Sequence, residues 1–182
     1  MSEMRLLLAL GLAIAAILTA EVAHCACDPA KLSSLESREC SLCREAEKQT
    51  EAEVFFLKDI NPRKPNRWLA LPRLHTHTGH ALETLPKDLR TKLWKSAIAK
   101  ARELWGEDWG LAYNAREHRT QCHTHIHIGK LLQGLAPGKF IDVDGPDQIP
   151  VPDKDTGIWI HPVGSKLRVH YGEGITETAL LR

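Results

Sequence analysis

The stretch Arg119-Thr120-Gln121-Cys122-His123-Thr124-His125-Ile126-His127-Ile128-Gly129 places three histidines at i, i+2 and i+4. On a strand over 122–128, side chains two apart share a face and stand about 6–7 Å from one another. His123, His125 and His127 would then lie side by side, with Ile126 and Ile128 turned the other way into a core. Apolar residues would cover the histidine face at less cost, so three imidazoles there point to chemistry. Two kinds fit. His-x-His is a ligand spacing for zinc or copper. A neutral imidazole is also a nucleophile toward phosphorus, provided a second group holds its tautomer.

The residues just upstream separate the two. Arg116 and Arg119 can grip phosphate oxygens in a bidentate fork, and Asn114, Thr120 and Gln121 add neutral hydrogen-bonding groups. A metal centre uses none of these; a phosphate ester site uses all of them.

Working outward, 33–49 reads as a helix capped by Ser34, with Cys40 and Cys43 on one face. Residues 54–58 and 68–71 read as a hairpin around an Asn- and Pro-rich turn at 61–66. A histidine-rich loop follows at 74–80. The strongest helix spans 86–105, with Thr84 as cap, Pro86 early and Gly106 as stop; Leu89, Leu93, Ala97, Ile98, Ala101 and Leu104 repeat at helical spacing. Residues 109–115 read as a strand, 133–155 as a long loop rich in Pro and Gly, and 158–161 with 167–171 as a terminal hairpin around Gly164-Ser165. Strands in hairpin order with intervening helices give an α+β domain, helices packed on an antiparallel sheet. Trp68, Trp94, Trp105 and Trp159 read as core, Trp109 as a candidate for lipid contact. His80, His118, His161 and His170 read as surface residues.

The 182-residue chain can bury one sizeable core. A formal net charge of +1 argues against a general nucleic-acid binder, and a hydrophobic content of 43% against a disordered chain. Residues 1–26 read as a secretory signal peptide or N-terminal anchor. Arg5 starts it, a charge-free and mostly apolar run covers 6–20, and small residues surround candidate cleavage points after Ala20, Ala23, Cys25 or Ala26. The folded part is therefore expected outside the cytosol, in the periplasm or at the outer side of the inner membrane. In an oxidising compartment Cys27, Cys40, Cys43 and Cys122 would form two disulfides, in any of three pairings. The catalytic domain is expected over 27–132, with 133–182 packed on it as loop and hairpin.

His123-Thr124-His125-Ile126-His127-Ile128 resembles the histidine-triad signature. The Cys40/Cys43 spacing, the first hairpin, Leu71-Pro72-Arg73 followed by His75, and the long helix before the triad resemble that superfamily too. The longer string from Asn114 through Arg116, Arg119, Thr120 and Gln121 to Ile128 is similar to its CDP-diacylglycerol pyrophosphatase branch. Other members carry Gly-Gln ahead of the first triad histidine, where this chain has Arg119 four before and Gln121 two before. The resemblance covers about residues 40–130.

The resemblance implies a HIT-like antiparallel sheet with one long helix and a shorter N-terminal one. It implies an exported phosphoric anhydride hydrolase of phospholipid metabolism, releasing CMP and phosphatidate from CDP-diacylglycerol. His125 would be the nucleophile, with His123 and His127 orienting it or binding oxygens. Asn114, Arg116, Arg119, Thr120, Gln121 and His75 would bind substrate. No cofactor is required. Some members hold a structural zinc, for which Cys40, Cys43, His75 and His123 would be the ligands. A membrane surface and a homodimer are the implied partners. Two alternatives stand beside this reading: a histidine-triad hydrolase or transferase for soluble nucleotides, and a periplasmic zinc- or copper-binding protein.

Overall fold

The computed structural model describes residues 25–74, 81–136, 138–153, 155–172 and 174–182. Residues 1–24 of the leader read at 1–26, and His75, His77 and His80, lie outside the described residues. The fold is α+β, as the element order implied. The helices are α1 (Ser41–Glu47) and α2 (Lys87–Trp105). The strands are β1 (Val54–Lys58), β2 (Trp68–Pro72), β3 (Trp109–Tyr113), β4 (Ile126–Lys130), β5 (Lys139–Val143), β6 (Ile158–Val163) and β7 (Lys166–Tyr171). They form one seven-stranded sheet in the order β1-β2-β4-β3-β6-β7-β5, every pairing antiparallel.

Period-two alternation sorts the side chains between the two faces. Ala70, Leu111, Tyr113, Ile126, Ile128, Ile158, Ile160 and Val169 meet Leu93, Trp94, Ala97, Ile98 and Ala101 of α2 in the main core. Gly106, at φ +59°, ends α2 where the spacing expected. Pro86 occupies the N-cap without a side-chain bond, and Thr84 instead donates to the Ala81 carbonyl in a 3-10 turn. On the other face, α1 lays Leu42 and Ala46 on Phe55, Leu69 and Leu71. The C-terminal segment covers the centre, packing Ala179 and Leu180 on Ala112 and Trp159. That segment needs glycine beneath it. A Cβ on Gly110 would lie 2.5 Å from Leu180 Cδ2, and one on Gly129 would lie 3.0 Å from Arg67 Cδ.

Several expectations are corrected. The helix over 33–49 breaks into 3-10 turns at Leu32–Glu36 and Arg38–Cys40 ahead of α1, because Ser37 is extended. Ser34 does not cap a helix; its hydroxyl accepts from the Asp28 amide and donates to the Asp28 carbonyl, a local bond that competes with helix. The loop over 133–155 contains β5, an edge strand whose Asp142 pairs bidentately with Arg168 of β7. The triad strand begins at Ile126 rather than 122. The disulfides are Cys25–Cys122 and Cys27–Cys40, leaving Cys43 as a buried thiol that burial pushes up to about 12. Trp109 is fully buried and offers nothing to lipid. His170 is buried and His161 half-buried, so neither is a surface residue.

Candidate active site

His127 alone of the three histidines lies within a strand. It projects from the face opposite α2, beside Leu69 of β2 and Ala112 of β3. His123 and His125 precede β4 in irregular backbone held by their own rings. His123 Nε2 donates to the Pro72 carbonyl at 2.7 Å, docking the segment on the end of β2. His125 Nδ1 donates to the His123 carbonyl at 2.8 Å. A carbonyl accepts only from N–H, so that bond fixes the proton on Nδ1 and leaves the lone pair on Nε2. The His125 and His127 rings meet edge-on, centroids 4.8 Å apart.

Both rings are neutral at physiological pH. Burial pulls His125 down, and the nearby Arg119 charge adds to it. Burial, then proximity to His125, pulls His127 down to about 3. Glu177 Oε2 lies 3.6 Å from His127 Nδ1, and that nitrogen has no hydrogen-bond partner among the described residues. Burial opposes ionisation of Glu177. The surrounding His127, Lys64 and Arg67 outweigh it and hold the carboxyl at about 2. Lys64 Nζ sits 2.5 Å and Arg67 Nη1 3.4 Å from the same oxygen.

Arg119 is buried. Its Nη1 donates to the Tyr113 hydroxyl at 2.7 Å, and its guanidinium carbon lies 4.8 Å from the Tyr113 ring centroid. Its Nε has no hydrogen-bond partner among the described residues. Burying a cation beside a neutral hydroxyl is costly, so an anion placed next to Arg119 would be stabilised there.

The other residues singled out in the sequence do different work. Asn114 Oδ1 accepts from the Glu177 amide at 3.0 Å and from the Thr176 hydroxyl at 3.2 Å, so it seats Glu177 rather than facing the rings. Gln121 accepts from the Ser41 hydroxyl and donates to the Arg38 carbonyl, tying the triad segment to the start of α1. Arg116 is exposed, 3.9 Å from Glu83, and Thr120 is exposed.

The residues that sequence reasoning missed are Glu177, Lys64 and Arg67. Arg67 is almost fully buried and donates to the carbonyls of Glu177, Leu180 and Leu181, clamping the C-terminal segment over the site. Nothing local in the sequence marks these three as partners of a histidine fifty or more residues away.

The proposed zinc ligands do not fit. Cys40 is bonded to Cys27, and His123 Nε2 is spent on the Pro72 carbonyl. The sulfurs of Cys27, Cys40 and Cys122 lie within 4.8 Å of one another, yet all three belong to disulfides. A second histidine pair lies beyond the C-terminal segment on the same face. His161 Nε2 and His170 Nε2 are 3.1 Å apart, with the His170 ring stacked on Trp159 at 3.6 Å. The chain matches no family model and no curated protein.

Proposed function

We propose that this chain hydrolyses a nucleotide diphosphate bond through a histidine nucleophile, in the manner of the histidine-triad superfamily, with CDP-diacylglycerol as substrate. The observation that supports it best is the His125 Nδ1 bond to the His123 carbonyl. That bond and burial leave a neutral ring with its Nε2 lone pair available, the state a phosphorus nucleophile needs. The buried Arg119 guanidinium next to it supports an anionic substrate.

In this reading His125 Nε2 attacks the α-phosphorus. The bond from that phosphorus to the bridging oxygen breaks, and phosphatidate leaves with the electron pair. Water then attacks the nucleotidyl-histidine, the P–N bond breaks, and CMP departs with the ring restored. Arg119 neutralises charge on the phosphoryl oxygens as it redistributes. Two disulfides are compatible with an exported protein, and no helix among the described residues is long and apolar enough to cross a membrane. A lipid-linked substrate would therefore be met at a bilayer surface.

The test is release of CMP from CDP-diacylglycerol in mixed micelles by the purified, disulfide-intact chain, beside a His125→Ala variant, with and without chelator. Turnover that survives chelation and falls by more than about 10³-fold in the variant is expected. Turnover of soluble nucleotide diphosphates alone would remove the lipid and keep the chemistry. Turnover of neither would remove the hydrolase reading.

A further inference from the structure

The C-terminal segment brings a carboxylate to the triad, and no feature of the triad motif accounts for it. We infer that Glu177 is a positioning residue that fixes the His127 ring with its proton on Nδ1, so that Nε2 serves as the base for the hydrolytic step. The role assigned to His127 rests on the nucleotidyl-histidine reading above; the tautomer does not.

His127 is neutral, so one ring nitrogen carries the proton and the other a lone pair. Glu177 Oε2 is 3.6 Å from Nδ1. A lone pair on Nδ1 would face an ionised carboxylate 3.6 Å away in a buried site, which is repulsive. A proton on Nδ1 faces the same carboxylate with attraction, and a movement of less than about 1 Å closes a hydrogen bond. The two rings then carry matching tautomers by different means. His125 is fixed by the carbonyl of His123, and His127 by a side chain from the far end of the chain.

Glu177 is itself over-determined. Its amide donates to Asn114, its carbonyl accepts from Arg67, and its carboxylate meets Lys64 and Arg67. Such a network holds a carboxylate at one place, which a residue serving only surface solubility would not need. The charged and titratable groups facing His127 are Glu177, Lys64, Arg67 and His125. Lys64 and Arg67 oppose protonation of His127, and Glu177 is the group that would stabilise an imidazolium there.

The step balances. Water attacks the phosphorus of nucleotidyl-His125 and its proton passes to His127 Nε2. The P–N bond breaks and its electron pair returns to His125 as a neutral ring with Nδ1–H. Glu177 stabilises the transient His127 imidazolium, which then releases the proton to solvent. The logic is that of a base oriented by a carboxylate in acyl transfer.

The test begins with the nitrogen-15 spectrum of the histidine rings in the full, disulfide-intact chain, with His127 assigned by a His127→Gln variant. A protonated Nδ1 and an unprotonated Nε2 are expected. Glu177→Gln, whose amide can donate to Nδ1, should move the proton to Nε2, and Glu177→Asp should restore the original tautomer. A wild-type His127 with its proton on Nε2 overturns the inference, as does a tautomer unchanged in Glu177→Gln. None of these readings needs substrate, so they stand or fall apart from the hydrolase reading. With substrate, kcat should fall about 10²-fold in Glu177→Gln with KM little changed. In a rapid-mixing experiment the nucleotidyl enzyme should accumulate. Loss of the first step instead would remove the base role while leaving the tautomer in place.

Discussion

At the scale of single residues, the site turns on which imidazoles are buried without their charge. His127 is held at about 3 by burial and by His125, against 6.5 in an open chain. Its folded value is depressed, so the unfolded chain binds the extra proton first. The stability linked to this ring is complete above 6.5 and is lost as pH falls from 6.5 toward 3. Within that window each such ring contributes a slope of about 1.4 kcal/mol per pH unit. His127→Asn should therefore show a shallower loss of stability between pH 6 and 4 than the parent. Denaturant midpoints across that range measure it, and parallel curves for the two proteins would refute the assignment. Glu177, held at about 2, adds acid sensitivity only below about 4.5, so between 6.5 and about 4.5 the His127 effect stands clear of it. How much of this was legible differs by residue. His125 and His127 stand out by their local spacing, although the strand expected over 122–128 starts only at Ile126 and carries His127 alone of the three. Glu177 was not, because its meeting with His127 is made by the fold and by Arg67, a side chain that looks like any exposed charge until the C-terminal carbonyls close over it.

At the scale of elements, the C-terminal segment over the sheet is the part with least tolerance. Gly110 and Gly129 are opposite one another on β3 and β4, and together they make the shallow track along which Leu180 and the Arg67 stem run. Gly110→Ala would place a Cβ 2.5 Å from Leu180 Cδ2 and 3.2 Å from Leu131 Cδ1. Overpacking of this kind costs about 1–3 kcal/mol. The cost should be relieved in part by Leu180→Ala, so the double variant should be less destabilised than the sum of the singles. Strict additivity in a double-mutant cycle would show that the track is not where the strain lies. Long periodic elements were read well from sequence. α2 was found to within a residue because five of its apolar positions face one core, and the hairpins β1–β2 and β6–β7 were found from short apolar runs with turn residues between. The failures were at elements whose state depends on a distant partner. β5 lies among prolines and glycines that read as loop, and it is a strand only because β7 offers an edge and Arg168 a partner for Asp142. The start of the 33–49 region lost its helix because Asp28 and the Cys27–Cys40 bridge hold its first turns in another path.

At the scale of the whole molecule, the two disulfides join the N-terminal end to the triad. Cys122 is the residue before His123, and its bridge to Cys25 spans 97 residues. A loop of that length contributes about 4–5 kcal/mol on the chain-entropy account, against about 3 for the 13-residue span of Cys27–Cys40. From sequence alone the bridges fall among Cys27, Cys40, Cys43 and Cys122, because nothing local tells a cysteine at a cleavage region, such as Cys25, from one inside a domain. The Cys25–Cys122 pairing places Cys25 with the folded domain. It also creates a hazard that can be measured. In Cys25→Ser the Cys122 thiol is released within 4.8 Å of the Cys27–Cys40 sulfurs. As thiolate it should attack that bridge, forming a bond from Cys122 to one sulfur and releasing the other as a thiol. Peptide mapping of Cys25→Ser after air oxidation at mildly alkaline pH should therefore find Cys122 joined to Cys27 or Cys40. The exchange tethers the residue before His123 to a different anchor, and changing Cys122 to Ser as well should abolish it. A Cys25→Ser protein that keeps Cys27–Cys40 intact under these conditions would show that the three sulfurs, though close, are held out of line for attack.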